Sequence, residues 1–110
     1  MGFTKIDHFE AVFIEEARIF KALGHPARLA IVKMLLEKTE CVGTDFTNSI
    51  PLAQPTISQH LRELKDAGII KGRVEGTAVC YCINTDVIEK MKSNFLPLLN
   101  DFLNNQNCDC

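Results

Sequence analysis

The sequence predicts a mainly α-helical fold with one small β-hairpin, in the order helix, helix, helix, helix, strand, strand, helix. Three observations predict it. Apolar residues recur at helical spacing over residues 9–22, 27–37 and 86–104, whereas only residues 69–83 hold two short β-compatible runs about a tight turn. Pro26, Pro51, Pro55, Gly68 and Gly76 fall between these stretches, where helix starts, stops and turns need them. The chain has 110 residues, a length suited to one domain whose small core would gain from a second subunit.

The first helix, Phe9 to Ala22, sets Val12, Phe13, Ala17, Ile19 and Phe20 against Glu10, Glu15, Glu16, Arg18 and Lys21. Its apolar set is wider than one stripe, which suggests burial against its own domain and against another subunit. Leu23-Gly24-His25-Pro26 breaks it, and Pro26 opens a second helix, Ala27 to Glu37, with Leu29, Ile31, Val32, Leu35 and Leu36 as a core-filling face. A short third helix is expected over Thr44 to Ser49, with Phe46 and Ile50 buried and Pro51 ending it. The fourth begins with Pro55 at its first position and stops at Gly68. It buries Ile57, Leu61 and Leu64 and turns Thr56, Ser58, Gln59, Arg62 and Lys65 outward. Ile69 to Val74 reads as a strand, Glu75-Gly76 as the turn and Val79 to Ile83 as its antiparallel partner. From Asp86 to about Asn104 a last helix carries Val87, Ile88, Met91, Phe95, Leu98, Leu99, Phe102 and Leu103, with Pro97 expected to kink or split it. Residues 1–104 are thus read as one domain and 105–110 as a polar, cysteine-containing tail.

A short helix, a turn of about four residues and a polar-faced helix form a helix-turn-helix unit, and the hairpin after it stands where a wing would. Hydroxyl, amide and guanidinium groups read base edges and hold phosphates, so the exposed face of the fourth helix is expected to bind double-stranded DNA; a merely solvated amphipathic helix is the alternative. The net charge of −2 looks wrong for such a partner, but it is segregated: residues 54–76 sum to +1 and residues 77–110 to −2. That mild segregation predicts modest affinity per subunit and a need for two half-sites. No stretch of about 18 apolar residues exists, and the first residues lack a basic region followed by an apolar one. Neither a membrane span nor a secretory signal is expected, and the cytoplasm is the expected compartment. The five cysteines, Cys41, Cys80, Cys82, Cys108 and Cys110, are an odd number that fits a secreted disulfide framework poorly, so reduced thiols are expected.

The string Ala22-Leu23-Gly24-His25-Pro26-Ala27-Arg28-Leu29, with Leu52-Ala53-Gln54-Pro55-Thr56-Ile57-Ser58-Gln59-His60-Leu61 after it, resembles the ArsR/SmtB family of winged-helix repressors. Ala67-Gly68-Ile69-Ile70, Glu75-Gly76 and Tyr81 continue the likeness, which covers about residues 10 to 103. The resemblance implies a homodimer joined through its first and last helices, with the fourth helix in the major groove of an operator. It also implies repression relieved by an inducer, usually a metal ion, a metalloid or a thiol oxidant. By position it assigns DNA contacts to Gln54, Thr56, Ser58, Gln59 and Arg62 and a phosphate contact to His60, although a satisfied, half-buried histidine is an equal reading of His60. Lys65 joins the exposed face, and Lys71, Arg73 and Thr77 on the wing suit minor-groove or phosphate contacts, with a solvated hairpin as the alternative.

The family's third-helix metal motif has two cysteines separated by one residue; here the matching stretch, Glu40-Cys41-Val42-Gly43-Thr44-Asp45, keeps one. No histidine lies in residues 86–104 for the family's last-helix site, so a nitrogen and oxygen zinc site is disfavoured. There remain Cys41 and the pairs Cys80/Cys82 and Cys108/Cys110. Soft thiolates of this kind favour As(III), Sb(III), cadmium, lead or copper(I), and a persulfide or oxidant would instead link thiols. Each cysteine also has a plain reading, as a small buried filler or an unengaged tail thiol. A regulator with no inducer response is one alternative function. A thiol enzyme or metal carrier is another, against which no cysteine adjoins a cation-rich helix start and no base is spaced to serve one.

Overall fold

The computed structural model describes residues 8–38, 41–43 and 49–105. Among them are four helices and a two-stranded antiparallel sheet: α1 (Ala11–Leu23), α2 (Pro26–Leu36), α3 (Gln54–Asp66), β1 (Ile70–Glu75), β2 (Ala78–Ile83) and α4 (Thr85–Asn104). The short helix expected over Thr44 to Ser49 lies outside the described residues except for Ser49, which is helical.

The α1–α2 corner is built by its own sequence. His25 takes extended backbone and its Nδ1 accepts from the Ala27 amide at 3.0 Å, capping α2, and Pro26 follows at the first helical position. The core forms where α2 crosses α3: Ile31 and Leu35 meet Ile57, Leu61 and Leu64, with Ile19 and Ala22 of α1 above and Ile69 and Ile70 of the wing base beside them. The expected α2 face is only partly right. Leu29 and Leu36 are 53% and 66% exposed, because α2 is apolar on several sides and this chain covers only one of them. On α1 the buried side includes Glu16, which the charge pattern had placed outward.

The end of α3 shows why Gly68 is glycine. The Ile69 amide bonds Leu64 O at 3.0 Å and the Gly68 amide bonds Lys65 O at 2.9 Å, with Gly68 at φ +80°. This is a Schellman stop, and its usual apolar contact is supplied by Ile69 and Leu64, both fully buried. The hairpin turn sits one residue later than expected. Glu75 pairs with Ala78, leaving Gly76-Thr77 as the two-residue loop with Gly76 at φ +64°. A positive φ at the first loop residue alone is the type II′ pattern, which demands glycine there and lets Glu75 stay in the strand.

Helix α4 runs for 20 residues through Pro97 without a break. The carbonyl that Pro97 leaves unbonded belongs to Ser93, which is exposed and so open to water, and no split is needed. No residue of α4 is buried. It lies against α1, with Phe20 and Phe95 edge to face at 4.9 Å and Lys90 Nζ 3.0 Å from Glu15 Oε2, while Phe13, Leu98, Leu99, Phe102 and Leu103 remain exposed.

Candidate nucleic-acid interface and cysteine cluster

Helix α3 is held from below and open above. Ile57 and Leu64 are fully buried and Leu61 nearly so, which fixes the helix by its apolar stripe. Gln54, Thr56, Ser58, Gln59, Arg62 and Lys65 are all exposed. Among the described residues their ties are weak ones along the helix, Gln54 Nε2 to Ser58 Oγ at 3.4 Å and Gln59 Nε2 to Glu63 Oε1 at 3.3 Å. Among the described residues Arg62 makes no hydrogen bond or ion pair. A row of donors and acceptors on a 13-residue helix, with the cations of both Arg62 and Lys65 unengaged among the described residues, is a surface suited to a polar, anionic partner. Pro55 stands at the second helical position rather than the first, since Ala53 provides the cap and Gln54 begins the helix.

His60 is drawn back from that surface into the buried setting that was its equal reading. The residue is 8% exposed, and its Nδ1 accepts from Arg28 Nε at 3.2 Å while its ring lies 4.4 Å from that of His25. Burial, then the neighbouring His25 and Arg28, lower its pKa below the ordinary histidine value, with Glu63 opposing. A neutral ring with an unprotonated Nδ1 is what Arg28 needs as an acceptor. Arg28 Nη1 also donates to Ala22 O at 3.3 Å, so one guanidinium joins the end of α1, the start of α2 and α3. That role was absent from the sequence reading, although Arg28 stands in the string that carried the resemblance.

Lys71, Arg73 and Thr77 are exposed on the wing. Arg73 Nε donates to Glu75 Oε1 at 3.0 Å, so this guanidinium must leave a carboxylate before it can hold a phosphate. Register places Arg73 opposite Cys80 and Lys71 opposite Cys82, so the wing's cations share a face with its cysteines.

The cysteines depart most from expectation. Cys41 and Cys80, 39 residues apart in sequence, are joined as a disulfide with Cα atoms 5.3 Å apart, where reduced thiols were expected. Cys41 is thus neither a filler nor a free ligand. The tie is seated by a backbone bridge, Val42 N to Tyr81 O at 2.9 Å and Tyr81 N to Val42 O at 2.7 Å, which lays the segment after α2 along the free edge of β2. Cys82 is free and half-buried, and Cys108 and Cys110 lie outside the described residues. Among the described residues no three histidine, cysteine or acidic side chains are grouped to hold a metal ion, and while Cys41 and Cys80 are bonded to each other neither presents a thiolate.

Residues 25–71 match the bacterial regulatory protein, arsR family. An uncharacterised HTH-type transcriptional regulator of Methanocaldococcus jannaschii is 44% identical over 75 residues, which are 68% of this chain and 84% of that protein. A cadmium resistance transcriptional regulatory protein, CadC homolog, of Staphylococcus aureus is 35% identical over 78 residues, 71% of this chain and 64% of its own length. The solution structure of a homodimeric winged helix-turn-helix DNA-binding domain of Mycobacterium bovis superposes with a TM-score of 0.64 at 23% identity, covering 99% of this chain and 98% of that one, a likeness of fold. The chain belongs to the ArsR family of winged helix-turn-helix transcriptional regulators, a family of DNA-binding proteins and not of enzymes.

Proposed function

We propose that this chain is a homodimeric, operator-specific repressor. The observation that carries the reading is the open polar row of α3 above a fully buried apolar stripe. Gln54, Thr56, Ser58, Gln59, Arg62 and Lys65 contact the major groove, with Gln59 and Arg62 as the base readers, and Lys71, Arg73 and Thr77 meet backbone or minor groove at the wing. His60 supports this surface from within, through Arg28. Two copies meet through the exposed faces of α1 and α4, which gives two reading heads to a chain of net charge −2. Residues 1–104 serve as the DNA-binding and dimerisation unit and 105–110 as its tail. The protein works in the cytoplasm, where its operator lies; among the described residues no helix is long and apolar enough to cross a membrane.

Release from DNA comes from a thiol-reactive inducer acting on the cysteines: arsenite or antimonite, a soft metal ion, or a persulfide or oxidant. Relatives named for cadmium and arsenic resistance support this class of signal, and the grouping of Cys41, Cys80 and Cys82 beside the wing supports its location. The DNA half is tested by Gln59→Ala with Arg62→Ala. At about 1–3 kcal/mol per base contact and two half-sites, the pair should abolish operator retention in a gel-shift assay while the dimer persists by sizing. Retention unchanged from the parent protein rejects the assignment of α3.

A further inference from the structure

We propose that Cys41, Cys80 and Cys82 form a thiol–disulfide exchange site for an anionic low-molecular-mass thiol, one that fastens or frees the base of the wing. The inference deepens the sensing half of the reading above by naming the site and the reagent, and its chemical test does not depend on DNA binding.

A groove of about 780 Å³ opens between the end of α2 and the charged face of the hairpin. Cys41 and Cys82 line it, together with Lys38, Arg73 and Glu75, whereas Cys80 lies beneath at 6% exposure. Only the Cys41 side of the disulfide therefore faces an incoming reagent, and Cys80 is the sulfur that leaves inward. Lys38 and Arg73 outweigh Glu75, so the groove favours an anion, both the attacking thiolate and the carboxylates such thiols carry. The chain's own third sulfur stands on the same wall: the Val42–Tyr81 bridge sets Cys41 against the strand face that holds both neighbours of Tyr81 in β2, Cys80 and Cys82.

The exchange balances without any further oxidant. A thiolate RS⁻ attacks Sγ of Cys41, the Cys41–Cys80 bond breaks, and Cys80 takes the electron pair and then the proton that RSH gave up. Cys41 then carries SR. A second RSH removes it as RSSR, leaving two protein thiols; alternatively the Cys82 thiolate displaces RS⁻, which leaves as RSH, and a Cys41–Cys82 disulfide forms. Either outcome severs Cys80 from Cys41, and Cys80 lies directly across the hairpin from Arg73. The covalent event is thus delivered to a side chain of the wing's charged face.

The experiment titrates the full-length protein with buffers of reduced and oxidised glutathione, traps it with an alkylating agent, and maps the peptides by mass spectrometry. Expected are the Cys41–Cys80 disulfide under oxidising buffer, a glutathione adduct on Cys41 at intermediate ratios, and free Cys41 and Cys80 appearing with one midpoint. Any Cys41–Cys82 disulfide formed by the alternative route should be absent in Cys82→Ala, while the three states above persist. Hydrogen exchange over residues 78–83 should quicken about tenfold on reduction, and Cys41→Ser, checked for native helix content, should show the fast exchange under all buffers. Free Cys41 and Cys80 under fully oxidising buffer, an adduct on Cys80 instead of Cys41, or hydrogen exchange indifferent to the redox state would each overturn the proposal. A gel shift on the same samples separates the two readings, since the chemistry can hold while DNA binding fails.

Discussion

Removing two phenylalanines should take the proposed dimer apart while leaving the protomer folded. Phe13 on α1 and Phe102 on α4 are 57% and 69% exposed, so each has spent less than half of its apolar surface within its own chain. Fully burying a phenylalanine stabilises by about 1.5–3 kcal/mol, and the unspent part corresponds to roughly 1–2 kcal/mol per ring. A two-fold interface uses each ring twice, so Phe13→Ala with Phe102→Ala withdraws four rings and roughly 4–8 kcal/mol of association. Every 1.4 kcal/mol or so is a factor of ten, and the dissociation constant should rise by about three orders of magnitude or more. Alanine is the better helix former at both positions, so helix content by circular dichroism should hold. Sedimentation equilibrium over a concentration series reads the result. A dissociation constant within tenfold of the parent's, at unchanged helix content, would show that these faces do not join the subunits.

Other perturbations follow from single features of the fold. Because the folded pKa of His60 lies below the ordinary value of 6.5, the unfolded chain takes up this proton first as the pH falls; stability is complete above 6.5 and declines below it toward the depressed folded value. Urea melts of the parent and of His60→Gln, whose amide oxygen can still accept from Arg28, should diverge in that acid window and run parallel above it. Gly68→Ala places a β-carbon at φ +80° and 3.3 Å from Val87 Cγ2, which should cost on the order of 1–2 kcal/mol and lower Tm by about 4–12 °C; an unchanged Tm would mean that the helix stop is not under this constraint. Reducing the Cys41–Cys80 disulfide reopens a loop of 39 residues, an entropic loss of about 4 kcal/mol as an upper figure. Thermal melts with and without reductant should therefore differ by more than 5 °C or so, and coincident melts would show that the tie adds nothing to stability.

What the sequence disclosed depended on how local each signal was. The α3 stripe was legible because Ile57, Leu61 and Leu64 repeat at the period of the helix itself, and the stop at Gly68 because one residue type fits that backbone. The hairpin register slipped by one because Glu75 suits a turn as readily as a strand, and only the pairing with Ala78 decides. Leu29 and Leu36 misled for another reason: apolar character says that a side chain seeks cover, not that its own chain supplies it. The disulfide was illegible, since its partners are 39 residues apart and the visible pattern was the pairing of Cys80 with Cys82. His60 was balanced between two readings until Arg28, 32 positions away, was seen to hold it.

That non-local pair and the non-local disulfide share a consequence for how such a regulator can act. Arg28 and His60 tie α3 to the α1–α2 corner through partly buried hydrogen bonds. Among the described residues the wing has no equivalent tie at its tip, where Val74 is 75% exposed and Arg73 pairs along its own strand. Its anchorage is concentrated at the base, in Ile70, the Val42–Tyr81 bridge and the Cys41–Cys80 bond. Of these three only the disulfide can be made and broken by a reagent at ordinary temperature without unfolding the core. On the proposed function, a signal that alters DNA binding while sparing α3 would find such a point of entry, among the described residues, at the sulfur face of β2. Control exerted there would change how firmly the operator is held without changing which operator is chosen.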